Sequence, residues 1–209
     1  MSDVARDTDD TVGVTPAETP AKRRRLAPFV ALAVAGVLGA LFWVLASSSS
    51  GPTDKSGVID SPLLGRPAPA LRSTTLDEEP FDLARRKGSW VVINFFNSTC
   101  APCRAEHPAL VEFTQQQTSF GDAGAELYTV LQYLDDVGNV KSFFLNRGGD
   151  WPIVRDDDGT INVAFGVAQV PETFIINPNG EVVVRWAGQI DANTLSQLVQ
   201  QQRDIYEAT

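Results

Sequence analysis

The sequence predicts an α/β domain of about 150 residues that follows one long apolar helix. Three observations support this prediction. The run WVVINFF at 90–96 is β-branched or aromatic at every position except Asn94, which is typical of a strand buried on both faces. Strand-like and helix-like segments then alternate to the end of the chain, as in α/β domains. Near the start, residues 26–45 are twenty positions without a charge, enough for a helix to cross the ~30 Å hydrocarbon core of a membrane.

The apolar stretch divides the chain into four predicted segments. Residues 1–25 have few large apolar side chains and are predicted to be a disordered cytoplasmic tail. Residues 26–46 are predicted to be a transmembrane anchor, and the Ser- and Gly-rich residues 47–60 a flexible linker. The cluster KRRR at 22–25 precedes the anchor, so the positive-inside rule predicts that the domain at 61–209 is extracytoplasmic. A cleaved signal peptide is the alternative, although its apolar region usually has only about 7 to 15 residues.

The charge of the chain argues against a nucleic-acid partner. The net charge is −9, and residues 46–209 hold 21 acidic and 12 basic side chains. Nucleic acids require a basic surface because their phosphates are negative, and no stripe of Arg and Lys follows residue 26. We therefore expect no nucleic-acid binding.

The first half of the domain is predicted from local patterns. PFDLA at 80–84 indicates a short edge strand, and 90–96 is the buried strand. Residues 105–120 have apolar side chains at helical spacing and end near Gly121, which predicts a helix. AELYTVLQYL at 125–134 predicts the second strand of the sheet.

The second half continues the alternation. DDVGNVKSFFLNRGG at 135–149 predicts a helix that its glycine pair ends, and WPIVRD at 151–156 a third strand. The segment at 172–188 predicts two strands around a Pro-Asn-Gly turn. The last helix is predicted at 191–206, with Asp191 as its N-cap.

Both cysteines of the chain, Cys100 and Cys103, lie between the buried strand and the next predicted helix. A structural disulfide across so short a loop would stabilise little, because the entropy that it removes from the unfolded chain shrinks with loop length. A closed zinc site needs more ligands than the two cysteines and the single histidine, His107, can supply. The remaining explanation is a reactive dithiol, which needs neither a metal nor a cofactor.

The two thiols are predicted to have different roles. A thiol at a helix N-terminus has its thiolate stabilised by free N–H groups and by the helix dipole, which lowers its pKa. Cys100 is therefore the predicted nucleophile. Cys103, one turn into the helix, is predicted to be more buried and to attack a mixed disulfide formed at Cys100.

Two other candidate features are predicted to be structural. The aspartates at 156–158 before Gly159 resemble part of a calcium loop, but its alternating spacing and terminal Glu are missing. We therefore predict a turn there. His107 is predicted to be a packing or helix-surface residue, not a catalyst.

Several motifs together resemble a thioredoxin fold, which has a central mixed sheet flanked by helices. They are the strand VVINFF, the motif CAPC, Pro108 five residues after the second cysteine, and Val170–Pro171 before a strand. CAPCRAEHP and the downstream FGVAQVPETFIINPNGEVVVRWAGQI closely resemble the membrane-anchored thioredoxin-like proteins of the CcmG, ResA and TlpA group, also called DsbE. Those proteins are extracytoplasmic thiol-disulfide oxidoreductases, commonly tied to cytochrome c maturation. The resemblance covers most of 61–209.

The resemblance implies further site residues. Pro171 would be a cis-proline beside the disulfide, where the backbone of Val170 can pair with a bound partner chain. Glu106 would tune the thiols and help proton transfer, although the helix pattern alone indicates a solvent-exposed acid. Thr99 and Glu172 join Val170 as candidate substrate-binding residues.

Two residues depart from the pattern of the wider fold. Asn94 stands six residues before the first cysteine, where ordinary thioredoxin has an acid. This makes Glu106 the better candidate for a buried proton acceptor. Thr99 stands where a Trp often precedes the first cysteine, so the rim of the site is expected to be less apolar.

The implied function is reduction of disulfides in exported partner proteins, such as apocytochrome c. An exported dithiol needs a supply of electrons, so a membrane donor resembling the CcdA or DsbD type is the implied partner. A general disulfide oxidant or isomerase is the alternative, because tens of millivolts decide the direction of exchange.

Other function classes fit the sequence less well. A peroxidase of the peroxiredoxin type would have a threonine three residues before its reactive cysteine, where Asn97 stands. A copper-delivery module of the Sco type would need a distal histidine, and no histidine follows residue 107. A reactive dithiol also argues against a non-catalytic membrane scaffold.

Overall fold

The computed structural model describes residues 27–48 and 57–208. The chain divides into two units, Met1–Ser50 and Gly51–Thr209. The first contains helix α1, Ala27–Ser48, whose side chains at 28–44 are exposed. In these described ranges, no helix combines the length and the hydropathy that a membrane span requires. The predicted tail at 1–25, and the linker from 49 to 56, lie outside the described residues.

The second unit alternates strands and helices as predicted. Its strands are β1 (Gly57–Val58), β2 (Arg72–Thr74), β3 (Pro80–Asp82), β4 (Val91–Phe96), β5 (Glu126–Leu131), β6 (Ile153–Val154), β7 (Glu172–Ile176) and β8 (Val182–Ala187). Its α-helices are α2 (Ala101–Thr118), α3 (Val137–Arg147), α4 (Thr160–Ala164) and α5 (Ala192–Glu207), and short 3-10 helices lie at Leu83–Arg86 and Gly121–Ala123.

Six strands form a central mixed sheet in the order β1-β8-β7-β4-β5-β6. Strand β4 pairs in parallel with β5 and antiparallel with β7. The β7–β8 pair is antiparallel and turns at the predicted Pro-Asn-Gly segment. The prediction of a central mixed sheet is therefore confirmed.

The core lies on both faces of β4, all six residues of which are buried. Val92 and Phe96 pack on one face with side chains of α2, α3 and α5. Ile93 and Phe95 pack on the other face with side chains that include Ile161 of α4. Burial on both faces explains why every position of the run except Asn94 is apolar. The strand ends at Phe96, just before the cysteine motif.

Several boundaries differ from the predictions, and three of the differences bear on the site or the sheet. Helix α2 begins at Ala101, directly after Cys100 as the cysteine argument predicts and four residues before the apolar spacing begins, and Pro102 is tolerated in the first turn because its missing N–H costs no hydrogen bond there. Strand β1 pairs with β8, so sheet structure begins inside the predicted linker at 47–60. The predicted edge strand at 80–84 is only Pro80–Asp82, and it pairs with β2 outside the central sheet.

Two short features follow from local hydrogen bonds. The aspartates at 156–158 form the predicted turn, in which Asp156 accepts hydrogen bonds from the backbone N–H groups of Ile161 and Asn162. These hydrogen bonds stabilise the first turn of α4, a helix that the sequence did not predict. Asp191 is the N-cap of α5, as predicted, and accepts a hydrogen bond from the N–H of Thr194.

Candidate active site at the end of the central strand

Cys100 is the N-cap residue of α2 and is half-buried. It forms a disulfide with Cys103, with the two Cα atoms 5.3 Å apart. Its Sγ accepts a hydrogen bond from the backbone N–H of Cys103 at 3.1 Å. Cys103 is only 1% exposed. Cys100 is therefore the accessible sulfur and Cys103 the more buried one, as predicted.

The loop before β7 contacts the accessible sulfur. The Val170–Pro171 peptide bond is cis, as predicted. The carbonyl oxygen of Val170 lies 3.5 Å from Cys100 Sγ. A disulfide sulfur carries no hydrogen, so this contact becomes an S–H···O hydrogen bond only when Cys100 is a thiol.

Glu106 is 3% exposed, which corrects the exposed position that the helix pattern indicated. It lies three residues after Cys103, so the two side chains are neighbours on one face of α2. Its Oε2 accepts a hydrogen bond from the N–H of Ile190 at 3.0 Å, and its Oε1 from the Asn94 amide at 2.7 Å. Burial raises the pKa of Glu106 to about 8, although both hydrogen bonds act to lower it.

Asn94 fixes the position of this carboxyl group. Asn94 is fully buried, and its Nδ2 also donates to Thr173 Oγ1 at 3.1 Å. Its Oδ1 is buried without a hydrogen-bond partner among the described residues. Turning the amide over would present that oxygen to a protonated Glu106. The side chain can therefore serve both protonation states of the acid.

The loop between β8 and α5 covers the site, and the sequence analysis missed it. Gln189 Nε2 donates to the carbonyl of Pro102 at 3.1 Å, and Trp186 Nε1 donates to the carbonyl of Gln189 at 3.0 Å. The backbone N–H of the next residue, Ile190, donates to the carboxyl group of Glu106. The Gln189 and Ile190 contacts join residues 87 and 84 positions apart, so no local pattern marks them.

Glu172 supports the cis-proline loop and does not line the site. Its Oε2 lies 2.7 Å from Arg185 Nη2, and its Oε1 accepts a hydrogen bond from the N–H of Ala168. Side chains alternate along a strand, so Glu172 and Thr173 lie on opposite faces of the sheet. Thr173 lies on the face of Asn94 and Glu106. The Glu172 side chain therefore lies on the other face, and its substrate-binding role stays a prediction.

The rim before Cys100 is polar. Thr99 is exposed, and its N–H and Oγ1 both donate to Asn97 Oδ1, at 2.8 and 2.6 Å. Ser98 is buried, and its N–H and Oγ donate to the carboxylate of Asp135. Arg104 donates to the Ser98 carbonyl at 3.1 Å. Thr99 is thus an exposed polar residue directly before the accessible sulfur.

His107 is a packing residue. It is 1% exposed and contacts the rings of Phe143, Phe144 and Trp151. Its Nε2 donates to the Gly148 carbonyl at 2.7 Å, and burial lowers its pKa. A neutral imidazole in this aromatic setting stabilises the contact between α2 and α3. In the ranges 27–48 and 57–208, no group of His, Cys, Asp and Glu side chains is arranged to hold a metal ion.

Comparison with known proteins places this site in a family. The AhpC/TSA family matches residues 64–185. The thiol:disulfide interchange protein HelX of Rhodobacter capsulatus is 30% identical over 171 residues, which cover 80% of this chain and 89% of HelX. The thiol-disulfide oxidoreductase ResA of Bacillus subtilis is 32% identical over 123 residues, which cover 57% of this chain and 64% of ResA.

Solved structures share the fold. A thioredoxin-family thiol:disulfide interchange protein from Chlorobium tepidum superposes with a TM-score of 0.58 and 26% identity, over 68% of this chain and 98% of its own. StoA of Bacillus subtilis superposes with a TM-score of 0.54 and 24% identity, over 61% of this chain and 94% of its own. The chain therefore belongs to the AhpC/TSA family and is a thioredoxin-fold thiol-disulfide oxidoreductase, with relatives of the DsbE and ResA type.

Proposed function

We propose that this oxidoreductase reduces disulfides in exported partner proteins, with Cys100 as nucleophile and Cys103 as resolving thiol. The observation that carries the proposal is the order of the three groups along α2. A half-buried sulfur caps the helix, a buried sulfur lies one turn inside, and a buried acid follows. The free N–H groups at the helix start favour a thiolate at Cys100.

The proposed reaction has two exchange steps. The Cys100 thiolate attacks one sulfur of the partner's disulfide, that S–S bond breaks, and the partner's other sulfur leaves as a thiolate. Cys103 then loses its proton and attacks Cys100 Sγ, which releases the partner's second thiolate and forms the Cys100–Cys103 disulfide. Two electrons pass from the enzyme to the partner, and the oxidised state is the one in the structure.

Glu106 is proposed to take the proton of Cys103. General-base catalysis works best when the pKa of the base is close to that of the group it deprotonates, and an unperturbed thiol has a pKa of about 8.5. The raised pKa of Glu106, about 8, is close to this value. An ordinary exposed carboxyl group would be a much weaker base.

The partner chain is proposed to lie across Thr99 and the backbone of Val170. The Val170 carbonyl is already beside Cys100 Sγ, so an extended segment bound there has its own sulfur close to the nucleophile. The resemblance to the CcmG, ResA and TlpA group supports apocytochrome c as one such partner. It also supports a membrane electron donor of the CcdA or DsbD type, which would return the enzyme to its dithiol form.

The direction of electron flow is tested by the reduction potential of the Cys100–Cys103 pair. A reductant is expected to have a potential more negative than about −200 mV, between those of protein disulfide isomerase and thioredoxin. Equilibration with glutathione or dithiothreitol, followed by alkylation and mass analysis, gives this value. A potential near −120 mV, roughly that of DsbA, would instead support the alternative of a general disulfide oxidant.

We further propose that residues 26–46 anchor the protein in the membrane with the catalytic domain outside the cytoplasm. The basic cluster at 22–25 before an uncharged stretch of twenty supports this topology. A phosphatase that is active only after export, fused after Thr209, is expected to be active. The matched fusion from which 26–46 is deleted is expected to be inactive. Activity of the deleted form, or inactivity of the full chain, would contradict the topology.

A further inference from the structure

A surface groove of about 560 Å³ opens beside the active site. Ser98 and Thr99, the two residues before Cys100, form one end of it. Its other walls are Arg104 of α2 and several side chains of α3, among them Phe143 and Arg147. A partner segment that reaches Cys100 across Thr99 therefore passes over this groove.

The groove carries two positive charges. Arg104 and Arg147 are both exposed, and their guanidinium carbons lie 5.2 and 6.0 Å from the centroid of the same ring, Phe143. Cation–π contacts of this kind hold a guanidinium group over an aromatic ring. Across 27–48 and 57–208, neither arginine forms an ion pair with an acidic side chain.

Two acids precede α3 near the groove, and neither pairs with its arginines among the described residues. Both oxygens of Asp135 accept hydrogen bonds from Ser98. Asp136 caps α3 by accepting a hydrogen bond from the N–H of Asn139 at 2.7 Å. Arg104 donates one hydrogen bond to the Ser98 carbonyl, and its other N–H groups and the Arg147 guanidinium group are open to a ligand, in a chain whose net charge is −9.

We propose that this groove binds an acidic side chain that flanks the reacting cysteine of the partner protein. This inference rests on the proposed function, since it specifies the substrate class of the same active site. A carboxylate fits the planar donor pattern of a guanidinium group. Because the chain is acidic overall, a local pair of arginines orients an acidic partner segment toward Cys100.

Three disulfide-linked peptides of equal length test the proposal. In each peptide, the second and third residues on either side of the cysteine are of one type. They are Glu in the first peptide, Gln in the second and Lys in the third. The reduced enzyme is expected to react with the Glu peptide about tenfold faster than with the Lys peptide at low salt, as two solvent-exposed charge pairs change from attraction to repulsion. Salt near 1 M is expected to remove most of this difference, because it screens exposed charges.

Matched variants locate the effect. In Arg104→Gln/Arg147→Gln, the ratio of the Glu-peptide rate to the Lys-peptide rate is expected to fall to about one or below. The control Arg66→Gln/Arg85→Gln removes the same charge at the opposite end of the sheet, near the starts of β8 and β4. It is expected to keep the parent's ratio. Arg147→Glu, a second test should the double variant not fold, leaves Arg104 opposite one new acid and is likewise expected to lower the ratio to about one.

The outcomes separate this inference from the proposed function. A neutral small disulfide, hydroxyethyl disulfide, is offered to the parent enzyme alongside the peptides. Failure to reduce any of these substrates would overturn the proposed function itself. Reduction of all peptides at one rate, or a preference for Lys, would overturn only the acidic-partner inference. That inference would also be overturned if the control variant lost the preference as fully as the groove variant.

Discussion

Cys100→Ser is expected to lower the rate of exchange with a peptide disulfide by at least about a thousandfold, because the thiolate is the nucleophile in this chemistry. Cys103 does not replace it, since its side chain is 1% exposed and lies beneath the helix start. Stopped-flow measurement with the reduced protein at pH 7 gives the rate. A variant that keeps more than a tenth of the parent's rate would contradict the assigned roles.

Cys103→Ser is the matched control, because it removes the other thiol. It is expected to react once through Cys100 and then to accumulate as a mixed disulfide, which mass spectrometry of the intact protein detects. In the reduced parent, iodoacetamide at pH 7 is expected to label Cys100 before Cys103. Faster labelling of Cys103 would mean that Cys103 is the nucleophile and Cys100 the resolving thiol.

Local sequence patterns were sufficient where burial alone decides the structure. All six residues of β4 are buried, and the sequence shows this as a run that is apolar at every position except Asn94. The cysteine motif directly follows the strand, so its place at the edge of the sheet could also be predicted. The cis bond before Pro171 was predicted from the family resemblance instead, because its signal is a motif 70 residues downstream.

Contacts between distant parts of the chain explain what the sequence analysis missed. Glu106 shares the buried face of α2 with Cys103 and Leu110, and the distant loop containing Gln189 and Ile190 completes its burial. Strand β1 has only two residues, and its partner β8 lies more than 120 residues later, so no periodic pattern marks it.

Glu106→Gln is expected to stabilise the oxidised protein increasingly as the pH rises. The carboxyl group has a pKa of about 8 when folded and an ordinary value of 4.5 when unfolded. Between these values the unfolded chain loses the proton first, so the free energy of unfolding of the parent falls as the pH rises, and it stops falling above about pH 8. Below pH 4.5 the group is protonated in both states and has no such effect.

Glutamine does not titrate, so the free energy of unfolding of the variant does not fall with pH in this way. The difference in unfolding free energy between variant and parent is expected to grow by on the order of 4 kcal/mol from pH 5 to pH 9, at about 1.36 kcal/mol for each pKa unit. The glutamine oxygen can still accept from Ile190, and its amide can donate to Asn94 Oδ1 once that amide turns over. Urea denaturation with the disulfide intact measures the difference. The control Glu112→Gln, on the exposed side of the same helix, is expected to change stability by less than about 0.5 kcal/mol.

The same variant separates two effects of Glu106 on the thiols. If the acid acts as the base for Cys103, Glu106→Gln is expected to resolve a Cys100 mixed disulfide about a hundredfold more slowly at pH 7, the lower end of general-base effects. If the acid acts only by repelling thiolates, the variant has lower thiol pKa values and a more oxidising couple, because stabilised thiolates favour the reduced form. We expect the slower resolution, since the Asn94 side chain has no carboxylate to take the proton. Stopped-flow exchange with titration of both thiols distinguishes the two. If the variant equals its parent in thiol pKa, reduction potential and resolution rate, Glu106 takes no part in the reaction.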